Sequence, residues 1–328
     1  MRFILLIFFM HMAFNQIAFG QTGIQQADLI RLAEARRLAD EVGSTVWPGW
    51  DRTAFPVLLV TAEQELLVDY PRIPPGFTAA GYSAVLRTEI LGRSRQFDPG
   101  LLATFPAFGL PPVIVIGQPG ATNKTSTEWV LTVLHEHFHQ YQMSDPEYFS
   151  MVDQLGLSGG DQTGMWMLNY PFPYQSAEVA SDFANVSRQL AALLKGSSPA
   201  DRQRFWKTYA DFLATLTDPD RRYMSFQIWQ EGIARYVELG VAEAAAEGYE
   251  PSLEFKTLPD VKPLSDIADK MRKAILKELA NPDLQAHRRV SFYAFGAGLA
   301  LLLDQDSEAW KSRYLTEKFF VERYADGD

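Results

Sequence analysis

Residues 133–140 read Val133-Leu134-His135-Glu136-His137-Phe138-His139-Gln140. On a helix, side chains four positions apart lie on one face, one turn apart. His135 and His139 can therefore grip a single ion from one side. Glu136 follows His135 by one position and directs its carboxylate toward the same neighbourhood without displacing a ligand. Two neutral nitrogens for an ion and one carboxylate for a water are what a zinc hydrolase needs. The chain has 5 histidines. One, His11, lies near the N-terminus, and three of the others fall within this one segment. His137 points to another face and reads as a packing residue or a support to the ligands.

These residues must be held by a helix. Thr125-x-x-Glu128 reads as its capping box. Trp129, Val130, Val133, Leu134 and Phe138 make it apolar on most sides. Polar groups inside an apolar helix are costly unless something satisfies them, and an ion would. A catalytic zinc site takes a third protein ligand and leaves one position open. Apart from His287 no useful histidine remains, so a carboxylate is expected. The segment Trp229-Gln230-Glu231-Gly232-Ile233-Ala234-Arg235-Tyr236-Val237-Glu238 places Glu231 early in an apolar helix. Gly232 beside it would let another backbone approach closely.

HExxH followed by a helical Glu-Gly-x-Ala-x-Tyr resembles the gluzincin metallopeptidases, above all their aminopeptidase-N-like branch. The resemblance spans about residues 112–303. It implies that His135, His139 and Glu231 are zinc ligands and that Glu136 is the general base. It also implies that Tyr293, in Tyr293-Ala294-Phe295-Gly296, donates to the oxyanion, with His287 as the alternative donor. Loss of one such donor typically costs about 3 kcal/mol. The interval from HExxH to Glu231 is about 90 residues, longer than in that branch. It contains Glu178-Val179-Ala180-Ser181-Asp182, the Glu-x-x-x-Asp pattern of thermolysin-like enzymes, which makes Glu178 the rival third ligand. A helical glutamate otherwise faces solvent, and a tyrosine at a helix start otherwise packs.

The whole chain has 328 residues, 47% hydrophobic and 21% charged, with a formal charge of −10. That composition suits a globular fold and argues against a nucleic-acid partner. With no cysteine, thiolate zinc sites and disulfides are excluded. Residues 1–20 read as a signal peptide: Arg2, an apolar run from Phe3 to Phe14, then Ala18-Phe19-Gly20 before Gln21. Export to the periplasm or beyond the cell is expected, with no membrane span after the leader is removed.

Residues 24–42 read as an amphipathic helix, and 56–60 with 65–70 as a β-hairpin. Residues 112–117 read as a buried strand. The aromatic stretch 145–175 reads as a loop, chiefly a packed connection. Helices are expected at 177–194, 199–216, 223–247, 264–280, 291–304 and 307–324. The fold class is α+β, a small mixed sheet followed by a predominantly helical, zinc-metallopeptidase-like domain. Residues 21–110 form an N-terminal helix and hairpin region. Residues 111–328 form the HExxH region, either as a separate domain or as one with 21–110. The expected function is a zinc-dependent (Zn2+) peptidase acting on a peptide or protein. Two alternatives are a zinc amide hydrolase with a non-peptide envelope substrate and a non-catalytic, metal-stabilised envelope protein.

Overall fold

Residues 57–60 and 113–117 are apolar at every position, and each lies in a strand covered on both faces. A computed structural model describes residues 23–325; the leader reading at 1–20 lies outside them. Six strands make one sheet: β1 (Val57–Val60), β2 (Gln64–Val68), β3 (Thr78–Ser83), β4 (Thr88–Ser94), β5 (Leu102–Phe105) and β6 (Val113–Gly117). Their order is β3-β4-β2-β1-β6-β5. The expected hairpin is present, with Val57 opposite Val68 and Val60 opposite Glu65. β1 and β6 run parallel, Val57 beside Ile114; the other pairings are antiparallel. Alternate residues serve different cores. Val57, Leu59, Ile114 and Ile116 join the large core with the helices. Leu58, Val60, Val113 and Val115 join a small cluster packed by Phe97, Phe105 and Phe108.

The long helix α1 (Gln26–Val46) precedes the sheet, and α2 (Ser126–Ser144), which carries HExxH, leaves it. The start of α2 is fixed from several directions. Thr125 and Glu128 form the expected capping box. The Ser126 amide and hydroxyl donate to Asp260, at 2.9 and 2.6 Å. Burial of Glu128 is outweighed by Lys270 and the Thr125 hydrogen bonds, which hold its carboxyl down at about 2.

The remainder of the described chain is helical: α3 (Tyr148–Gln154), α4 (Trp166–Asn169), α5 (Ala177–Leu193), α6 (Pro199–Thr215), α7 (Asp218–Gln227), α8 (Ile233–Gly248), α9 (Leu253–Lys256), α10 (Leu264–Ala280), α11 (Leu284–His287) and α12 (Ser291–Asp304). The class is thus α+β, with a six-stranded mixed sheet and mostly helices. No helix among the described residues is long and apolar enough to cross a membrane.

Several elements differ from expectation. β3, β4 and β5 carry weak apolar patterns: β3 has one buried residue and is broken by Gly81 at φ 117°. The stretch 145–175 holds α3 and α4 as well as loop. The helix expected at 223–247 is two helices joined by a π-helical turn, Ile228–Gly232, and it starts earlier, at Asp218, capped by the Thr217 hydroxyl. Residues 307–324 form two 3₁₀ segments, Glu308–Arg313 and Val321–Ala325, instead of an α-helix. Phe319 at φ 74° breaks any continuous helix there.

Gly232 ends the π-helical turn and meets Gly296 of α12. A methyl group on Gly232 would lie 2.5 Å from the Gly296 Cα, and one on Gly296 would lie 2.7 Å from the Gly232 Cα. The close backbone approach expected at Gly232 is therefore present, and it sets the separation of α12 from the segment that carries Glu231. Gly232→Ala should destabilise the fold by about 1–3 kcal/mol through overpacking. Urea unfolding followed by circular dichroism checks this; an unchanged midpoint would show that the contact is not tight.

Candidate metal centre

α2 brings His135 and His139 to one face, with ring centroids 4.9 Å apart. A ring nitrogen from each and a carboxylate oxygen of Glu136 lie within 4.8 Å of one another, a group that could hold a metal ion. Glu136 is buried beside β5, whose Thr104 hydroxyl donates at 2.8 Å to its Oε2 and lies 3.0 Å from its backbone carbonyl. One strand residue thus fixes both the helix and the carboxylate.

A second carboxylate arrives from the π-helical turn. Glu231 Oε2 lies 3.7 Å from His135 Nε2 and 3.5 Å from His139 Nε2. The extra residue in a π turn rotates the next turn relative to a plain α-helix, and such turns recur at functional sites. Glu238, two turns further along α8, places Oε2 3.4 Å from His135 Nδ1. That nitrogen is buried and lacks a well-formed hydrogen bond. Glu231 keeps 21% of its side-chain surface exposed, so the centre opens on one side.

The electrostatics of this cluster favour positive charge. Burial opposes protonation of His135, but Glu231 and Glu238 outweigh it and push the imidazole up to about 10. His139 is also raised against its burial, chiefly by Glu231. In turn the two imidazoles outweigh burial at Glu231 and hold its carboxyl well below the usual range. Nearby opposite charges acting on a desolvated group produce these directions.

The tautomer of His139 is set by its supports. Gln142, three residues along α2 and buried, donates through Nε2 to the Gln230 carbonyl at 2.8 Å and the Tyr314 hydroxyl at 2.6 Å. Its Oε1 is then free to accept from His139 Nδ1 at 2.6 Å. In the neutral ring the Nε2 lone pair of His139 therefore faces Glu231, the orientation a metal-ligating imidazole needs. The 3.1 Å contact of Gln230 Nε2 with His139 Nδ1 is then packing, with Gln230 Oε1 occupied by the Tyr148 hydroxyl at 2.8 Å.

His137 faces away from this centre, as expected. Its ring stacks on Phe55 at 4.0 Å and pairs with Gln140 at 2.8 Å. Burial, only partly offset by Gln140, pushes it down to about 4, so it stays neutral.

Tyr293, in the first turn of α12, is brought close to Glu231. Burial and the Glu231 charge raise its hydroxyl, against the pull of Arg289, and Arg289 donates a short hydrogen bond to it. Glu178, by contrast, is exposed in the first turn of α5. Among the described residues it pairs with neither histidine. His287 is exposed at the end of α11. It borders a cavity of about 570 Å³ with Arg288, Arg289 and the aromatic loop. That loop is a packed connection, since Tyr170 stacks on Tyr223 at 4.3 Å and Phe172 meets Phe292 at 5.3 Å, and it also forms a cavity wall.

Comparison with protein-family models, curated proteins and solved structures finds no match to the chain.

Four site residues escape the sequence reading. Gln142 and Glu238 have a signal: they stand three residues from His139 and seven from Glu231, on shared helix faces. Arg289 stands four before Tyr293, the spacing of helical neighbours. Thr104 has none, because β5 itself carries too weak an apolar pattern to read as a strand.

Glu231→Ala should weaken zinc binding at least about tenfold, and Glu178→Ala should leave it nearly unchanged. Titration of both variants with zinc, with circular dichroism to confirm folding, decides the matter. Loss on Glu178→Ala with retention on Glu231→Ala would reverse the assignment.

Proposed function

We propose that the chain is an exported zinc-dependent peptidase of gluzincin type, acting on peptides in the cell envelope or outside the cell. One observation carries this reading: the Nε2 atoms of His135 and His139 converge on one oxygen of Glu231 while Glu136 stands beside them on α2. The donor set, two imidazoles and a carboxylate with one open side, fits the three-ligand catalytic zinc site. The raised imidazoles support the fit, because the surrounding carboxylates draw in positive charge, whether as protons or as a cation. His135, His139 and Glu231 would hold the zinc, which would supply Lewis acidity toward a carbonyl and lower the pKa of a water.

The chain's own groups divide the remaining work. Glu136 is placed to accept a proton from a water beside the centre and to pass it to the leaving amine. The Thr104 hydroxyl holds its carboxylate in place. Tyr293 stays protonated under burial and the Glu231 charge, so its hydroxyl can donate to a developing oxyanion. Glu238 and Gln142 orient the imidazoles from behind. A purely structural ion would usually take four protein ligands and would have no need of a base such as Glu136, so the catalytic reading is preferred.

Glu136→Gln removes the base and keeps the size of the side chain. It should retain zinc and lower peptide hydrolysis by at least about a hundredfold. Metal analysis and cleavage of a quenched peptide mixture, run on the same preparation, check this. Cleavage equal to that of the parent would remove Glu136 from the mechanism.

A further inference from the structure

The cavity between the aromatic loop and residues 287–290 combines an aromatic wall with cationic groups, and no acidic residue lines it. Tyr170, Phe172 and Tyr174 form one side; His287, Arg288 and Arg289 form the other. Arg289 is half-buried and Arg288 exposed. In a chain with 40 acidic and 30 basic residues, cations near a cavity usually find a carboxylate. Among the described residues neither of these arginines makes an ion pair, and the only side-chain hydrogen bond of Arg289 goes to the Tyr293 hydroxyl. Asp220, which meets the aromatic wall at Tyr170, is occupied by the hydroxyls of Tyr170 at 3.0 Å and Thr217 at 2.6 Å. Arg288 has φ 48°, a conformation L side chains rarely adopt.

Arg289 links the cavity wall to Tyr293: its guanidinium lies 5.5 Å from the centre of the Tyr293 ring and bonds its hydroxyl. A group seated against Arg289 is therefore one guanidinium away from the Tyr293 hydroxyl. Guanidinium groups bind carboxylates through paired N–H donors, and aromatic walls cover apolar surface beside them.

We infer that this cavity selects peptides carrying a carboxylate next to an apolar or aromatic group beside the scissile bond. The carboxylate is either the free C-terminus or an acidic side chain. This inference rests on the peptidase reading for its context, but the cavity can be tested without turnover.

The first arm uses matched quenched peptides that differ only in a free or amidated C-terminus and in Glu or Gln beside the cleaved bond. Carboxylate-bearing members should have kcat/KM values at least about tenfold higher, as hydrogen bonds to charged groups allow, with the difference carried by KM. Whichever change abolishes the preference identifies the source of the carboxylate. In Arg288→Gln the ratio of acidic to neutral rates should collapse toward one. Equal rates for all members, or an unchanged ratio in Arg288→Gln, would overturn the inference.

The second arm measures calorimetric binding of N-acetylphenylalanine and its amide to the full chain. Binding of the acid at least about tenfold tighter, lost in Arg288→Gln, supports the cavity even if no peptide is cleaved, in which case only the peptidase reading falls. Equal binding of acid and amide overturns it.

Discussion

A carboxylate held between two imidazoles in a largely buried site is costly unless every charge is answered. Desolvation amounts to several kcal/mol per ion, and removing one partner leaves the other uncompensated. Glu231 answers His135 and His139 together, and much of the surrounding structure serves to keep that arrangement in place. Gln142 takes the far nitrogen of His139, and Glu238 stands behind His135. Tyr314 and Tyr148 in turn hold Gln142 and Gln230. The polar interior is thus a connected network in an apolar shell, the condition under which buried polar groups are tolerated.

That network depends on backbone geometry at one crossing. The π-helical turn positions Glu231, and the contact of Gly232 with Gly296 brings α12 against it. Tyr293 rides on α12, so the same contact that seats the carboxylate also brings the tyrosine hydroxyl to it. The opposite wall comes from the sheet, where Thr104 of β5 secures Glu136. The two sides of the site therefore descend from different layers of the fold, with α2 between them.

Local chemistry in the sequence reveals much of this. The capping box of Thr125 and Glu128, the hairpin, the buried strand at 112–117 and the helices at 264–280 and 291–304 rest on neighbouring residues, and a short window contains them. Glu231 is legible because glycine follows it and an apolar helix surrounds it. What escapes depends on distant partners. β3 and β4 carry few buried residues, so their alternation is faint, and β5 gains its meaning only from α2. The π turn leaves no mark in apolar periodicity, and the segment at 307–324 looks helical until its aromatics are seen to pack on distant tryptophans. Trp310 lies 5.4 Å from Trp47, while Phe319 lies 5.1 Å from Trp229. The adjacent arginines at 288 and 289 are visible as a basic run, but not as part of the lining of an aromatic cavity.

The central claim is that His135, His139 and Glu231 form one zinc site. X-ray absorption at the zinc edge on the protein as purified from its host tests it most directly. The predicted result is zinc near one per chain, with about four nitrogen and oxygen neighbours at roughly 2.0–2.2 Å and the outer-shell scattering of two imidazoles. Absence of zinc with no uptake on addition, or a shell of oxygens without imidazole scattering, would contradict it.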